Sequence, residues 1–176
     1  MKVLLTPTQL QKGVQRMADQ ISQHYQGQPI TAVGILTGSL ILLADLIRLL
    51  DSPIRIALVQ ASSYGGTTRR GELTLNPDLL SDIKGRDVLL VDDIFDTGHT
   101  LQQVITLIQE QQPSSVQSAV LLLKQDRQEV DLRPDFVGFS IPDQFVVGYG
   151  LDYQDLFRNL PHVASLDPED LSGEPE

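Results

Sequence analysis

Residues 88–100 read VLLVDDIFDTGHT, and this run decides the fold. An apolar strand carries the chain to two adjacent acids, Asp92 and Asp93. Asp96, Thr97, Gly98, His99 and Thr100 then turn it into LQQVITLIQEQQ (101–112), which has a helical apolar period and is closed by Pro113. A helix start carries unpaired backbone N–H groups and the positive end of a dipole. Gly98 lets the backbone come close to an anion, and Thr97 and Thr100 add hydroxyl donors. The turn is a cradle for a phosphate group. Asp92 and Asp93 cannot bind phosphate, but they suit the hydroxyls of a ribose or a hard cation such as Mg²⁺. A bare D-x-T-G is as often an ordinary helix cap, and paired acids at a strand end can be simple solvation. The whole run together points to a sugar phosphate lying across the strand end.

The same alternation extends in both directions. Leu10, Val14, Met17, Ile21 and Tyr25 fall on one helical face over residues 8–25, with Pro7 in the first turn and Gly27 and Pro29 at the end. ITAVGIL (30–36) reads as a buried strand, Thr37, Gly38 and Ser39 as a turn, and LILLADLIRLL (40–50) as a helix. After Pro53, IRIALVQ (54–60) is the next strand. SSYGGTTRRGEL (62–73) is polar and glycine-rich and has too little apolar content to pack as a core element. SVQSAVLLLK (115–124), DFVGFSI (135–141) and QFVVGYG (144–150) read as further strands. The acidic SLDPEDLSGEPE (165–176) is expected to be a mobile tail, which leaves residues 1–164 as a single domain. Alternating strands and helices predict an α/β domain, a mainly parallel twisted sheet with helices on both faces. Ligands of such sheets sit beyond the carboxyl ends of the strands. The polar clusters at Thr37–Ser39, Ser62–Gly71, Asp92–Thr100 and Lys124 all fall there.

Composition narrows the function. The 176 residues and 41% hydrophobic content fit one globular domain. With no cysteine, neither a disulfide nor a cysteine metal cage is available, which agrees with an expected cytoplasmic location. MKVLLTPTQLQKG has too short an apolar run for a signal peptide, and no stretch approaches the roughly 18 apolar residues of a membrane helix. A net charge of -10 repels phosphate polyanions, so nucleic acid is not an expected partner. A small anion can still be held by local backbone donors or by a bound cation.

The run at 88–100 closely resembles the 5-phosphoribosyl pyrophosphate signature of type I phosphoribosyltransferases. The resemblance covers about Gly34 to His162. GILTGSLILLADLIR (34–48) is similar to the pyrophosphate-loop segment of the hypoxanthine-guanine branch. SSYGGTTRRGEL is similar to its mobile catalytic loop, and RPDFVGFSIPDQFVVGYGLDYQDLFRNLPHV (133–163) to its C-terminal segment. The resemblance implies the type I phosphoribosyltransferase fold, with a small hood from that C-terminal segment. It also implies magnesium-dependent transfer of 5-phosphoribosyl from phosphoribosyl pyrophosphate to N9 of hypoxanthine or guanine, giving IMP or GMP and pyrophosphate.

Site roles follow from the resemblance residue by residue. Asp92 and Asp93 would bind the ribose hydroxyls, directly or through Mg²⁺. Asp96 would act as general base or acid near N7 of the purine, and Asp96 through Thr100 would hold the 5′-phosphate. Lys124 would donate to the 6-oxygen, Phe145 would stack on the base, and the Val146 backbone would read its edge. Asp152 would hold a second Mg²⁺. Arg158 would contact the pyrophosphate beside the Thr37, Gly38 and Ser39 backbone. Ser63 and Tyr64 would close over the reacting centre as part of a lid from Ser62 to Glu72. By the same analogy the protein is a homodimer or homotetramer. Taken singly, Lys124, Asp152 and Arg158 read as surface charges and Phe145 as core. His99 either contacts the phosphate or faces solvent.

The sequence departs from the family at three places. Thr37 and Gln144 stand where lysines are usual, and Asp92 stands where glutamate is common. Two other readings share the resemblance: a nucleotide-binding regulator without turnover, and a xanthine-preferring transferase.

Overall fold

The computed structural model describes residues 1–61, 73–74, 83–167 and 170. The expected lid, with Ser63 and Tyr64, lies outside the described residues. Strand β1 (Lys2–Leu5) leads into helix α1 (Pro7–Tyr25). Thr6 caps α1: its hydroxyl accepts from the Gln9 amide, while the Gln9 side chain accepts from the Thr6 amide. Then come β2 (Ile30–Leu36), α2 (Leu40–Ile47), β3 (Ile54–Ala61) and β4 (Leu73–Thr74). They are followed by β5 (Asp87–Phe95), α3 (His99–Glu110), β6 (Ser115–Lys124) and β7 (Phe136–Ile141). Short strands β8 (Val146–Val147) and β9 (Val163–Ser165) complete the order.

The main sheet runs β4-β3-β2-β5-β6-β7. Strands β3, β2, β5, β6 and β7 are parallel, and β4 joins the edge antiparallel. Near-continuous apolar runs make β2 and β5 central strands, because a parallel sheet covered on both faces has no wet side. Helices α1 and α2 cover one face: Leu10, Val14, Met17, Ile21, Leu42 and Leu46 pack there with Leu89, Val91 and Leu121. Helix α3 covers the other through Leu101, Val104 and Ile108 against Val33, Val88 and Leu90. Met17 is fully buried at the first of these interfaces. Truncating it (Met17→Ala) is expected to cost about 2–5 kcal/mol, read as a lower midpoint of chemical unfolding.

The hood is a second, three-stranded antiparallel sheet in the order β1-β9-β8. The N-terminal strand was not legible in the sequence, because MKVLL has no alternating pattern and gains its ladder only from Val163–Ser165. Two residues assigned to the acidic tail belong to the fold instead: Ser165 pairs with Lys2 in β9, and Leu166 is buried. Just beyond them, the Met1 amino group meets Asp170 at 2.8 Å.

From β2 the chain moves outward to β3, then returns to place β5 on the opposite side of β2. The order therefore switches between β2 and β5, and the carboxyl ends of these two strands diverge to leave a crevice.

Candidate active site

The crevice at that switch is a cleft of about 370 Å³. Its walls are the turn after β2 (Thr37, Gly38), the end of β5 with its turn (Asp92, Asp93, Asp96, Thr97, Gly98, Thr100), and the hood residues Asp152, Asp155 and Arg158. Ten of the residues singled out from sequence thus meet in one place: Thr37, Gly38, Asp92, Asp93, Asp96, Thr97, Gly98, Thr100, Asp152 and Arg158.

The phosphate turn is built as its composition demands. Gly98 holds φ 89°, a left-handed conformation that favours glycine. No side chain caps α3, and its first backbone bond runs from the Gln102 amide to the Gly98 carbonyl at 3.0 Å. The amides ahead of it are the unpaired donors of a helix start. They border the cleft and are set to receive an anion.

Asp92 is buried and Asp93 nearly so, and the Asp93 amide donates to Asp92 Oδ1 at 3.0 Å. Burial, and then the neighbouring Asp93 charge, hold the Asp92 carboxyl well above the usual carboxylate range. Burial also raises Asp93. Such a pair resists carrying two charges unless a ligand brings hydroxyl donors or a cation. Among the described residues no three His, Asp or Glu side chains form a metal cage. A two-acid set still suits Mg²⁺, which keeps waters and takes its remaining oxygens from substrate phosphates.

On the opposite wall, Arg158 donates through Nη1 to the Gly150 carbonyl at 2.8 Å and reaches Asp152 at 2.8 Å and Asp155 at 3.2 Å through Nη2. Asp152 Oδ2 also accepts from the Asp155 amide at 2.9 Å. Asp152 is therefore engaged on both oxygens, and Arg158 is steered towards the cleft by acids that flank it.

Behind Asp96, which lines the cleft, Lys124 closes β6 and is almost fully buried. It contacts Asp96 Oδ2 at 3.2 Å and Asp143 Oδ1 at 3.3 Å. Arg127 mirrors it, with Nε to Asp96 Oδ1 at 3.0 Å and Nη1 to Asp143 Oδ2 at 3.3 Å. Asp96, and then Asp143, raise the Arg127 guanidinium above its ordinary value. Phe145 stands 42% exposed in edge contact with Tyr153, at 5.5 Å between ring centroids. Val146 is buried in β8, and Gln144 is exposed.

Five expected residues are not on the cleft wall: Lys124, Phe145 and Val146, and also Ser39 and His99. Ser39 is fully buried beneath the turn, its amide bonded to the Ile35 carbonyl at 3.3 Å and its hydroxyl without a partner. His99 turns away to meet Glu129 at 2.8 Å, so neither solvent alone nor the cleft claims it. Sequence reading missed Gln60, Arg127, Asp143 and Asp155. Single polar residues at a strand end (Gln60) or in connecting loops (Arg127, Asp143, Asp155) carry no local signal, and only the folded chain brings them to this site.

Residues 4–154 match the model of the phosphoribosyl transferase domain family. The chain belongs to the phosphoribosyltransferase family. A hypoxanthine-guanine phosphoribosyltransferase of Staphylococcus aureus is 43% identical over 169 residues, 96% of this chain and 94% of the relative. The crystal structure of a hypoxanthine phosphoribosyltransferase from Staphylococcus aureus superimposes with a TM-score of 0.90 at 41% identity, covering 98% of this chain and 95% of that one. A hypoxanthine phosphoribosyltransferase from Trypanosoma cruzi, solved as a ternary substrates complex, gives a TM-score of 0.89 at 32% identity over 97% of each chain. The phosphoribosyltransferase fold expected from the sequence, a parallel sheet flanked by helices with a small second sheet, is the fold observed.

Proposed function

We propose that this phosphoribosyltransferase is a purine salvage enzyme that transfers 5-phosphoribosyl from phosphoribosyl pyrophosphate to N9 of hypoxanthine or guanine. The observation that carries the reading is the cleft itself. An uncapped helix turn faces two buried acids on one side, and a lysine suited to a carbonyl oxygen stands at the base end. The relatives and structural neighbours named for the same reaction support it.

In this reading the amides and hydroxyls from Asp96 to Thr100 seat the 5′-phosphate, and Asp92 and Asp93 take the ribose hydroxyls. Asp92 and Asp93 would hold one Mg²⁺ and Asp152 a second at the pyrophosphate, whose charge the metal would offset when bound. Lys124 donates to the 6-oxygen of the base, which a 6-amino group could not accept. Phe145 offers its exposed face to the ring, and Arg158 with the Thr37–Gly38 turn faces the leaving pyrophosphate. The C1′–oxygen bond to pyrophosphate breaks as N9 bonds to C1′, and Asp96 takes the proton from N7. Positive charge growing on the sugar would be intercepted by water, so Ser63 and Tyr64 are assigned to a lid over the reacting centre.

The reading also includes the single domain expected over residues 1–164, which the fold extends through Leu166, a cytoplasmic location and a homodimer or homotetramer. Leu40, Ile56 and Leu58, each at least 40% exposed, form apolar surface on α2 and the outer part of β3 that a second copy would cover. Among the described residues, no helix is long and apolar enough to cross a membrane. A regulator without turnover is not favoured, since Asp96 and the full phosphate turn are in place. The test is an activity panel of hypoxanthine, guanine, xanthine and adenine, each with phosphoribosyl pyrophosphate and Mg²⁺, with and without chelator. Turnover of hypoxanthine or guanine that chelator abolishes is the expected result. Turnover of none of the four bases removes the reading, and xanthine alone replaces the substrate.

A further inference from the structure

Four charged side chains at the base end close into a ring. Each cation touches both carboxylates, and each carboxylate uses a different oxygen for each cation. The ring is neutral overall, with two lysine or arginine charges against two aspartates. Among the described residues, Lys124 and Arg127 are the side chains bonded to the Asp96 carboxylate, and together they occupy both of its oxygens. Each carboxylate oxygen keeps a second lone pair, but a cation seated on it makes it a poorer proton acceptor, so taking a proton from a purine favours an opened ring.

We infer that Lys124, Asp96, Arg127 and Asp143 form a latch that the substrate opens, with Arg127 holding Asp96 in place when the 6-oxygen of the base draws Lys124 away. The inference rests on the salvage reading above. Lys124 is 8% exposed, so little water reaches it to replace Asp96 as its partner. A lysine has three donors, and it can turn one to the 6-oxygen while keeping Asp143. That exchange frees Asp96 Oδ2 for the N7 proton. A base with an amino group at position 6 brings a donor to a donor, so Lys124 stays on Asp96 and the base site remains shut.

Arg127 fits the anchoring part because its planar fork meets Asp96 and Asp143 through different nitrogens, Nε and Nη1. The loop that carries it is pinned to the phosphate turn twice more. The Glu129 amide donates to the Thr97 carbonyl at 3.0 Å, and the Glu129 carboxylate meets His99 at 2.8 Å. Movement of the phosphate turn and of Arg127 is thereby coupled. Arg127 acts through Asp96 and is a positioning residue.

The experiment compares full-length wild type with R127A, R127K and R127Q in steady-state kinetics with hypoxanthine and guanine, alongside thermal unfolding. We expect kcat of R127A to fall on the order of tenfold, less than the ~10²-fold that a full ångström of misplacement can cost. KM for phosphoribosyl pyrophosphate stays within about twofold, since the backbone of the phosphate turn is untouched. R127K recovers part of kcat, because an ammonium restores one of the two contacts. If R127A does not unfold cooperatively, R127Q is read against R127K in its place. Equal kcat in wild type and the uncharged variant overturns the latch, as does a kcat loss with no recovery in R127K. Absence of turnover in wild type would instead remove the salvage reading, so the two failures are distinct.

Discussion

Replacing Asp96 with asparagine is expected to lower kcat by ~10²-fold or more, the usual contribution of a positioned acid or base. The structure makes the loss larger than a bare change of charge would. Asp96 accepts from Arg127 on one oxygen and from Lys124 on the other. An asparagine has one acceptor and one donor at the same places, so its amide group would face a cation and one contact must break. Lys124 or Arg127 is then left short of a partner in a site where Lys124 has almost no access to water. KM for phosphoribosyl pyrophosphate should move little, since the 5′-phosphate is held by amides and hydroxyls of the turn. Steady-state kinetics at saturating base separates the two parameters. Turnover equal to wild type would remove Asp96 from the chemistry. A rise in KM without a fall in kcat would make it a binding residue only.

The strands and helices that carry this site were legible because each is a strong periodic or apolar run. ITAVGIL and SVQSAVLLLK were read with the bounds the fold gives them. The phosphate turn was legible for a different reason: glycine, hydroxyl residues and paired acids are contiguous in the chain, so local chemistry is visible without the fold. What escaped depends on distance. β1 is a strand only because Val163–Ser165 lies beside it, and β4 has two residues, too few for a pattern. Asp143 and Arg127 look like loop charges until β6 and β7 bring them to Asp96, 47 and 31 positions away in the chain. Lys124 taken singly reads as a surface charge for the same reason, since its partners Asp96 and Asp143 lie on two other segments. The role of Ser39 also could not be read in advance: Thr37 and Gly38 line the cleft, while the next residue starts α2 and points into the core.

The Gly38→Ala variant should lose activity on a similar scale although it adds only a methyl group. Gly38 lies so close to the Asp93 carboxylate that a β-carbon would fall inside its Oδ2 atom's contact radius. The Asp93 carboxylate can yield only by rotating away from the place it now holds. Asp93 belongs to β5, whose ladder to β2 aligns Val91 with Gly34 and fixes where the strand ends. The turn cannot retreat either, because the Gly38 carbonyl is packed against Gly150, a residue at φ 102° that itself has no room for a side chain. The methyl must therefore push Asp93 off the ribose position or push the turn into the pyrophosphate position. Either shift approaches an ångström, which can cost ~10²-fold in rate, and the crowding should cost about 1–3 kcal/mol of stability. The expected result is a kcat/KM for phosphoribosyl pyrophosphate lowered ~10²-fold, with a lower unfolding midpoint and a cooperative transition retained. Adding Mg²⁺ should not restore it, because the acids are displaced and not merely unfilled. Kinetics within about threefold of wild type would mean that Asp93 moves freely, and the argument that a glycine is required to seat the acid pair would fall with it.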